Sequence, residues 1–413
     1  MKFSIEQLIN DMENRASGDY TTPFAFFNMV HDATIVKQIN SLYARLAGDT
    51  ITDVVLVGIG GSHLGVQAVY DALAASNYKK PKVQLHALTS IDSFTAVDFA
   101  SWYAALVCDP NKRVITFVIS KSGATFETAY QASVCLELLK GCKPETYREH
   151  MIVVTDEGSS LANACGDENI PFLLIPKNIG GRFSIFSVAG LTVLRFLDFD
   201  LEEFLAGARS VYLDEPLASA RELFNQSTQG YQVYDTFIFM PHYAALGGWV
   251  RQLVGESLGK KGKGFLPTVS IGSQDLHSVI QYYFAGAHKA VTTFILPPEP
   301  ALPMGCGQAG ASIFSLCAGL SAEVNGADLQ HAIIKGVLSA YSDAHKPYML
   351  FYLRKDSLYD IGRFMQYKMI ETVYIGIFMD INPFDQPAVE LYKQATRTLL
   401  CREKKYSVNQ YKT

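Results

Sequence analysis

Four titratable side chains stand in local settings suited to moving protons and steadying charge. Glu256 lies in the run GESLGKKGKG, flanked by Gln252, Lys260, Lys261 and Lys263. His277 and Asp275 lie in SQDLHS, at the start of a helical pattern. Arg182 sits in the glycine turn GGRFS, and Lys393 follows NPFDQPAVELY, whose Pro383 and Pro387 fix how the chain approaches a final helix. A positioned carboxylate or imidazole acts as general base or acid near neutral pH. A guanidinium stays cationic and stabilises negative charge on a substrate oxygen. Taken singly, each also suits a plainer role: Glu256 as a surface acid, His277 as a helix-start polar residue, Arg182 as a salt-bridge partner, and Lys393 on a solvated helix face.

A second chemistry is written in VISKSGATFET, Val118 to Thr128. The buried-strand pattern Arg113 to Ile119 runs into Ser120, Lys121, Ser122, Gly123 and Thr125, after which Thr125 to Leu139 has helical spacing of apolar residues. Free N–H groups and the dipole at a helix N-terminus attract an anion, hydroxyls add donors, and Gly123 lets the backbone come close. The same small residues also suit a turn and an N-cap.

These groups need a scaffold, and the chain supplies one. Its 413 residues are 49% hydrophobic and 18% charged, enough for a large core and two or three domains. A net charge of -5 argues against a general affinity for nucleic acid or acidic membranes, so an anionic ligand needs a local site. The seven cysteines form no CxxC pair and no zinc-like grouping with histidine, so buried free thiols in a reducing cytoplasm are expected. Met1 to Asn10 lacks an apolar signal core, and no run reaches the ~18 apolar residues that span a bilayer.

Residues 1–48 read as N-terminal helices, with Phe3, Ile5, Leu8 and Ile9 in the first and Ile35, Ile39, Leu42 and Leu46 in the last. In 49–200, strand-length runs at Val54 to Ile59, Val83 to Leu88, Val114 to Ile119, Ile152 to Val154 and Phe172 to Ile175 alternate with helices, the pattern of a parallel sheet. After a helical segment Leu201 to Tyr231, the span 201–380 repeats the scheme, with strands at Phe237 to Met240, Thr268 to Ile271 and Val291 to Leu296. Helical patterns there cover Tyr243 to Leu253, Leu276 to Phe284 and Ala309 to Ala322; Pro297 to Gln308 reads as a loop. In 381–413, Ala388 to Arg402 reads as a terminal helix. The fold class is therefore α/β, with two tandem parallel-sheet cores flanked by helices. The cluster GIGGSHLG follows the first strand, but the dinucleotide fingerprint starting at Gly58 needs glycine where His63 stands, so a nucleotide-dependent oxidoreductase is disfavoured.

Taken together and in order, GIGGSHLG, SKSGATFET, GGRFS, QLVGES, DLHS and NPFDQPAVELYK resemble the glucose-6-phosphate isomerase family, from about Val54 to the terminal helix. GGRFS and the FDQPAVELYK segment are specific to that family, whereas GIGGS and SKSG are shared with sugar-isomerase (SIS) domains more widely. The resemblance implies two SIS-type α/β sandwiches with flanking helices and a homodimer acting on glucose 6-phosphate and fructose 6-phosphate without a metal or organic cofactor. It implies that Ser120, Ser122 and Thr125, with the backbone near Lys121, hold the phosphate. Gly61, Ser62, Gln252 and Gln386 would line the sugar pocket. Glu256 would be the base that moves the proton between C1 and C2 through a cis-enediolate, with Arg182 beside the developing charge. His277, contributed by the neighbouring subunit, and Lys393 would open the sugar ring. One departure is Ala124, where many relatives carry a second threonine. A sugar-phosphate sensor would not need Glu256, His277 and Lys393 together, and an aminosugar isomerase would lack the NPFDQPAVELYK terminus.

Overall fold

The computed structural model describes residues 18–46, 51–73, 81–92, 96–297, 310, 312–353 and 357–410. The helix expected around Phe3 to Ile9 and nearly all of the expected loop Pro297 to Gln308 lie outside them.

The first sheet is built from β1 (Asp53–Val57), β2 (Gln84–Leu88), β3 (Val114–Ile119), β4 (Met151–Asp156) and β5 (Phe172–Ile175), all parallel, in the order β2-β1-β3-β4-β5. β1 and β3 are fully buried, so both of their faces are apolar and the runs are continuous. Successive residues point to opposite faces. Leu56, Ile115, Phe117 and Ile119 join the large core, while Val55, Val57, Val114 and Val118 pack with Tyr103, Val107, Cys135 and Leu139 on the other side.

The second sheet holds β6 (Tyr231–Ile238), β7 (Leu266–Ile271), β8 (Lys289–Leu296) and β9 (Tyr348–Tyr352), again parallel, in the order β7-β6-β8-β9. The two halves share one core: Leu56 and Phe117 of the first sheet and Ile238 and Val291 of the second belong to the same buried cluster as Phe204, Trp249 and Tyr374. The Leu64–Leu73 helix, which follows β1, packs on the Ala244–Leu258 helix, which follows β6, so the loops after these strands are held in register by helix–helix contact.

Several expectations shift. β6 starts six residues before the expected Phe237, because Asp235 interrupts the apolar pattern. The helix expected over Ala309 to Ala322 shortens to Ile313–Cys317 among the described residues, ending just before Gly319 at φ +68°. The terminal helix runs Val389–Gln410, longer than expected.

The expectation of free thiols needs correction. Cys108 and Cys142 end the Ala96–Cys108 and Phe126–Cys142 helices, and these ends converge to a Cα separation of 5.4 Å, within disulfide reach, where the two sulfurs are bonded. Cys135 and Cys165 are buried free thiols, and Cys317 is free and exposed. Among the described residues no helix is long and apolar enough to cross a membrane.

Candidate active site

Strand order reverses direction between β1 and β3, the position where open parallel sheets leave a crevice at the carboxyl ends of their strands. The two loops that leave these strands are Gly58 to Leu64 and Ser120 to Thr125. The first packs against the end of β3, where the second begins: a Cβ added at Gly58 would lie 3.2 Å from the Ile119 carbonyl oxygen.

The Ser120 loop presents hydroxyls that the fold does not use. Ser120 is 4% exposed, and its Oγ is buried without a hydrogen-bond partner among the described residues. Thr125 occupies the N-cap of the Phe126–Cys142 helix, yet its side chain makes no capping bond. Ser122 Oγ accepts from the Ala124 N–H at 3.2 Å. Lys121 turns its ammonium to the Lys177 carbonyl at 2.7 Å. Burial pushes the Lys121 pKa down, against the pull of nearby Asp156. The groups singled out in the sequence as a turn or an anion site therefore divide, and Ser120 and Thr125 are the hydroxyls left over.

The Gly58 loop makes a short helical turn at Gly60–Ser62 that packs against the matching turn Gly181–Phe183. Gly61 is required there, since a Cβ would fall 2.2 Å from the Gly181 carbonyl carbon. Gly60, at φ +61°, brings the turn against Gln252, whose Nε2 would lie 2.8 Å from an added Cβ. His63 closes the turn; burial pushes its pKa down to about 4, and its Nδ1 is buried without a partner among the described residues.

Where these turns meet the Ala244–Leu258 helix, a charged cluster forms around Arg182, itself 2% exposed. All five guanidinium N–H groups are committed. Nε donates to Ser257 Oγ at 2.8 Å, Nη1 to Glu256 Oε2 at 3.2 Å and to Gln386 Oε1 at 2.8 Å, and Nη2 to the Pro383 carbonyl at 2.6 Å and the Asp385 carbonyl at 3.0 Å. Burial lowers the Arg182 pKa, and Glu256 and then Asp385 oppose it. The other Glu256 oxygen accepts from Gln252 Nε2 at 3.1 Å, one helical turn earlier. The Glu256 side chain keeps 33% exposure, so a held carboxylate still faces outward.

Arg182, Glu256, Gln252 and Gln386 are thus joined by hydrogen bonds, with Gly61 and Ser62 in the turn beside them. His277 and Lys393 are not drawn into this network among the described residues. His277 is exposed at the end of the Gln274–His277 turn after β7, at the edge of the second sheet. Lys393 donates to Glu390 Oε1 at 2.9 Å on a helix whose Leu391 and Tyr392 are exposed. Ser257 and Asp385 were not singled out in the sequence. Ser257 sits in the GES run and Asp385 in the FDQP run, but only the fold shows that both hold Arg182, from 75 and 203 residues away.

The phosphoglucose isomerase family profile matches residues 25–261. A glucose-6-phosphate isomerase of Heliobacterium modesticaldum is 30% identical over 382 residues, spanning 87% of this chain and 84% of that protein. One from Thermus thermophilus is 28% identical over 405 residues, spanning 93% and 92%. Among solved structures, a hypothetical protein of Thermus thermophilus superposes with a TM-score of 0.80 at 26% identity, covering 96% of this chain and 93% of that one. A glucose-6-phosphate isomerase of Chlamydia trachomatis shares the fold, with a TM-score of 0.74 at 21% identity over 96% and 78% of the two chains.

Proposed function

The chain belongs to the phosphoglucose isomerase family, and on that basis we propose that it interconverts glucose 6-phosphate and fructose 6-phosphate by reversible aldose–ketose isomerisation. The observation that carries this reading is Glu256, gripped on one oxygen by Arg182 and on the other by Gln252, yet one third exposed beside the Gly60–Ser62 turn. A base that must reach a substrate carbon needs a fixed direction and an open face, and this arrangement supplies both.

In the proposed cycle, the sugar phosphate enters with its phosphate at the Ser120 loop, where the unpaired Ser120 hydroxyl, Thr125 and the N-terminus of the Phe126–Cys142 helix offer donors to the dianion. Gly61, Ser62, Gln252 and Gln386 border the sugar. His277 and Lys393 pass the protons that open the ring. Glu256 then removes the C2 proton of the aldose, leaving a cis-enediolate; the hydroxyl proton passes from O2 to O1, and Glu256 returns its proton to C1, so that O1 ends as a hydroxyl and the carbonyl ends at C2; the ketose runs the same steps in reverse. Arg182 serves from its locked position. With every N–H committed to protein acceptors, it acts by its nearby positive charge and by holding Glu256 and Gln386, which favours negative charge on the enediolate oxygens without a direct bond.

The exposed position of His277, with Val279 and Tyr282 also exposed close by, supports its delivery to a neighbouring subunit's site in a homodimer. Each complete site would then combine Glu256 of one copy with His277 of the other.

The test has two parts. Purified, metal-stripped protein receives fructose 6-phosphate, and glucose 6-phosphate is followed through an NADP-coupled dehydrogenase; rapid turnover is expected, and its absence removes the isomerase reading. Separately, Glu256→Gln and His277→Ala chains are co-expressed. A shared site predicts that mixed dimers regain activity that neither parent has, because one of their two sites is then intact. No recovery places His277 in its own chain's site or outside catalysis.

A further inference from the structure

The run GKKGKG, beyond the end of the Glu256 helix, is bonded to the segment that carries Gln386. Lys263 Nζ donates to the Met379 carbonyl at 2.7 Å, Lys261 Nζ to the Asp380 carbonyl at 3.0 Å, and Lys260 Nζ to the Asn382 carbonyl at 2.5 Å. The three lysines thus step along 379–382 in reverse order, where the Leu358–Phe378 helix ends and its carbonyls carry partial negative charge. Lys261 and Lys263 stop at main-chain oxygens of that helix end.

Lys260 goes further. Its ammonium also contacts Asp385 Oδ1 at 2.8 Å, and the second Asp385 oxygen accepts from Asn382 Nδ2 at 3.0 Å. Asn382 Oδ1 in turn accepts the Phe384 N–H at 3.1 Å, closing a compact loop over residues 382–385. That loop supplies Arg182 with the Pro383 and Asp385 carbonyls, and the next residue supplies the Gln386 amide oxygen. Three of the five acceptors that fix the guanidinium therefore hang on a loop whose ionic anchor is Lys260. The Lys260 side chain is 11% exposed and that of Asp385 51%, so the ion pair alone lies half in solvent; what fixes the ammonium is its simultaneous bond to the Asn382 carbonyl of the same loop.

We propose that Lys260 is a positioning residue for the isomerase reaction, acting through Asp385 to keep the 382–386 loop, and with it Arg182, aligned on Glu256. It touches neither substrate nor reacting atoms. This inference rests on the isomerase reading, and the experiment below separates the two.

The experiment compares Lys260→Met, Lys260→Arg, Lys261→Met and Asp385→Asn with the wild type in the coupled assay, and follows hydrogen exchange at the Phe384 amide, which is bonded to Asn382 Oδ1. Lys260→Met is expected to lower kcat roughly 10- to 100-fold, the effect of misplacing catalytic groups by about an ångström, with KM for fructose 6-phosphate little changed. Exchange at the Phe384 amide should speed up, because its bond to Asn382 Oδ1 loosens with the loop. Lys260→Arg restores most of the rate, since it can still donate to both acceptors. Asp385→Asn reproduces the loss, and adding it to Lys260→Met costs nothing more, as for two residues of one contact. Lys261→Met leaves kcat and exchange at the Phe384 amide as in the wild type.

A Lys260→Met enzyme within about threefold of wild-type kcat overturns the proposal. So does an equal loss in Lys261→Met, which would make the lysines general anchors. If Lys260→Met does not fold, Asp385→Asn decides: full activity with unchanged exchange overturns the proposal. A wild-type protein without turnover sinks the isomerase reading, while the exchange comparison still reports whether Lys260 holds the loop.

Discussion

The Ser120 loop and the Arg182 cluster both lie beyond the carboxyl ends of first-sheet strands, and they differ in how fully their polar groups are satisfied. After β3, Ser120 Oγ is buried with no partner among the described residues, and the Thr125 hydroxyl caps nothing. After β5, Arg182 is as deeply buried, and each of its five N–H groups has an acceptor. A buried donor left unpaired costs about 1–3 kcal/mol. A fold that tolerates this at a strand end has left room for something to pair with it. A fold that spends five bonds on one guanidinium has fixed a direction. On the proposed function, one region is left for the ligand to complete and the other is complete before it arrives.

The largest test of that contrast falls on the finished cluster. Glu256→Gln keeps the shape and an oxygen for Arg182 but removes the proposed base. Turnover should drop by ~100- to 10,000-fold, the usual worth of a positioned general base, while fructose 6-phosphate still binds. Near-normal turnover would leave the cluster a structural knot and nothing more.

A different orphan tests whether an unpaired atom always marks a ligand. Asp235 is fully buried in β6, where Oδ1 accepts from Thr268 at 2.8 Å, Tyr283 at 2.9 Å and Ser270 at 3.0 Å, while Oδ2 has no partner among the described residues. Here the acid itself adjusts. Burial pushes its pKa up to about 6, over the opposing pull of the three hydroxyls and with a small addition from Asp275. A raised carboxyl pKa means that the folded state keeps a proton the unfolded state has already lost. Stability from this group is therefore full below about pH 4 and declines as pH rises to about 6, by roughly 3 kcal/mol. Asp235→Asn lacks that decline. Denaturation of both proteins from pH 4 to 7 should show the variant gaining on the wild type as pH rises. A constant difference would mean that Asp235 is charged throughout and that its free oxygen has a partner.

Ser120→Ala returns to the open region. A hydrogen bond to a charged group is worth about 1.5–3 kcal/mol, so KM for fructose 6-phosphate should rise roughly 10- to 100-fold with kcat much less affected. Because Ser120 Oγ has no partner among the described residues, the folding free energy should stay level or improve. An unchanged KM would take Ser120 out of phosphate binding.

The open region is the more legible of the two from sequence, and the reason is distance along the chain. The ends of β3 can be read directly, because six apolar or β-branched residues, VITFVI, lie between Arg113 and Ser120, and the hydroxyls follow at once. Everything that defines the anion loop lies within eleven residues, 118–128. The Arg182 cluster is assembled from partners 74 to 204 residues away. Its members stand in recognisable runs, but no local pattern can say that Arg182 uses up its donors on them, that Asp385 is among them, or that Lys260 reaches Asp385. The strand missed altogether, β9, is legible: Tyr348–Tyr352 is YMLFY, an apolar run of strand length, even though at the sheet edge, paired only with β8, it leaves Leu350 and Tyr352 exposed. The Cys108–Cys142 bond also depends on two helix ends meeting in space, which their 34-residue separation does not announce.

The smallest expected effect separates a hydroxyl kept for the fold from one kept for a ligand. Thr125 and Ser159 occupy the same kind of position, the N-cap of a helix that follows a strand of the first sheet. Ser159 does what an N-cap does, accepting from the Ala162 N–H at 3.0 Å, with a further contact to Thr155 Oγ1 at 3.0 Å. Thr125 makes no such bond. Removing a working N-cap costs about 1 kcal/mol, so Ser159→Ala should lower stability by that amount and leave KM alone. Thr125→Ala should do the reverse, raising KM modestly at nearly constant stability. If both variants lose about 1 kcal/mol with unchanged KM, Thr125 is an ordinary cap and the anion site contracts to Ser120, Ser122 and the loop N–H groups. If Thr125→Ala moves KM alone, two chemically similar residues at equivalent places in successive strand–helix units have been put to different uses, and the missing capping bond is what distinguishes the binding loop from its neighbour.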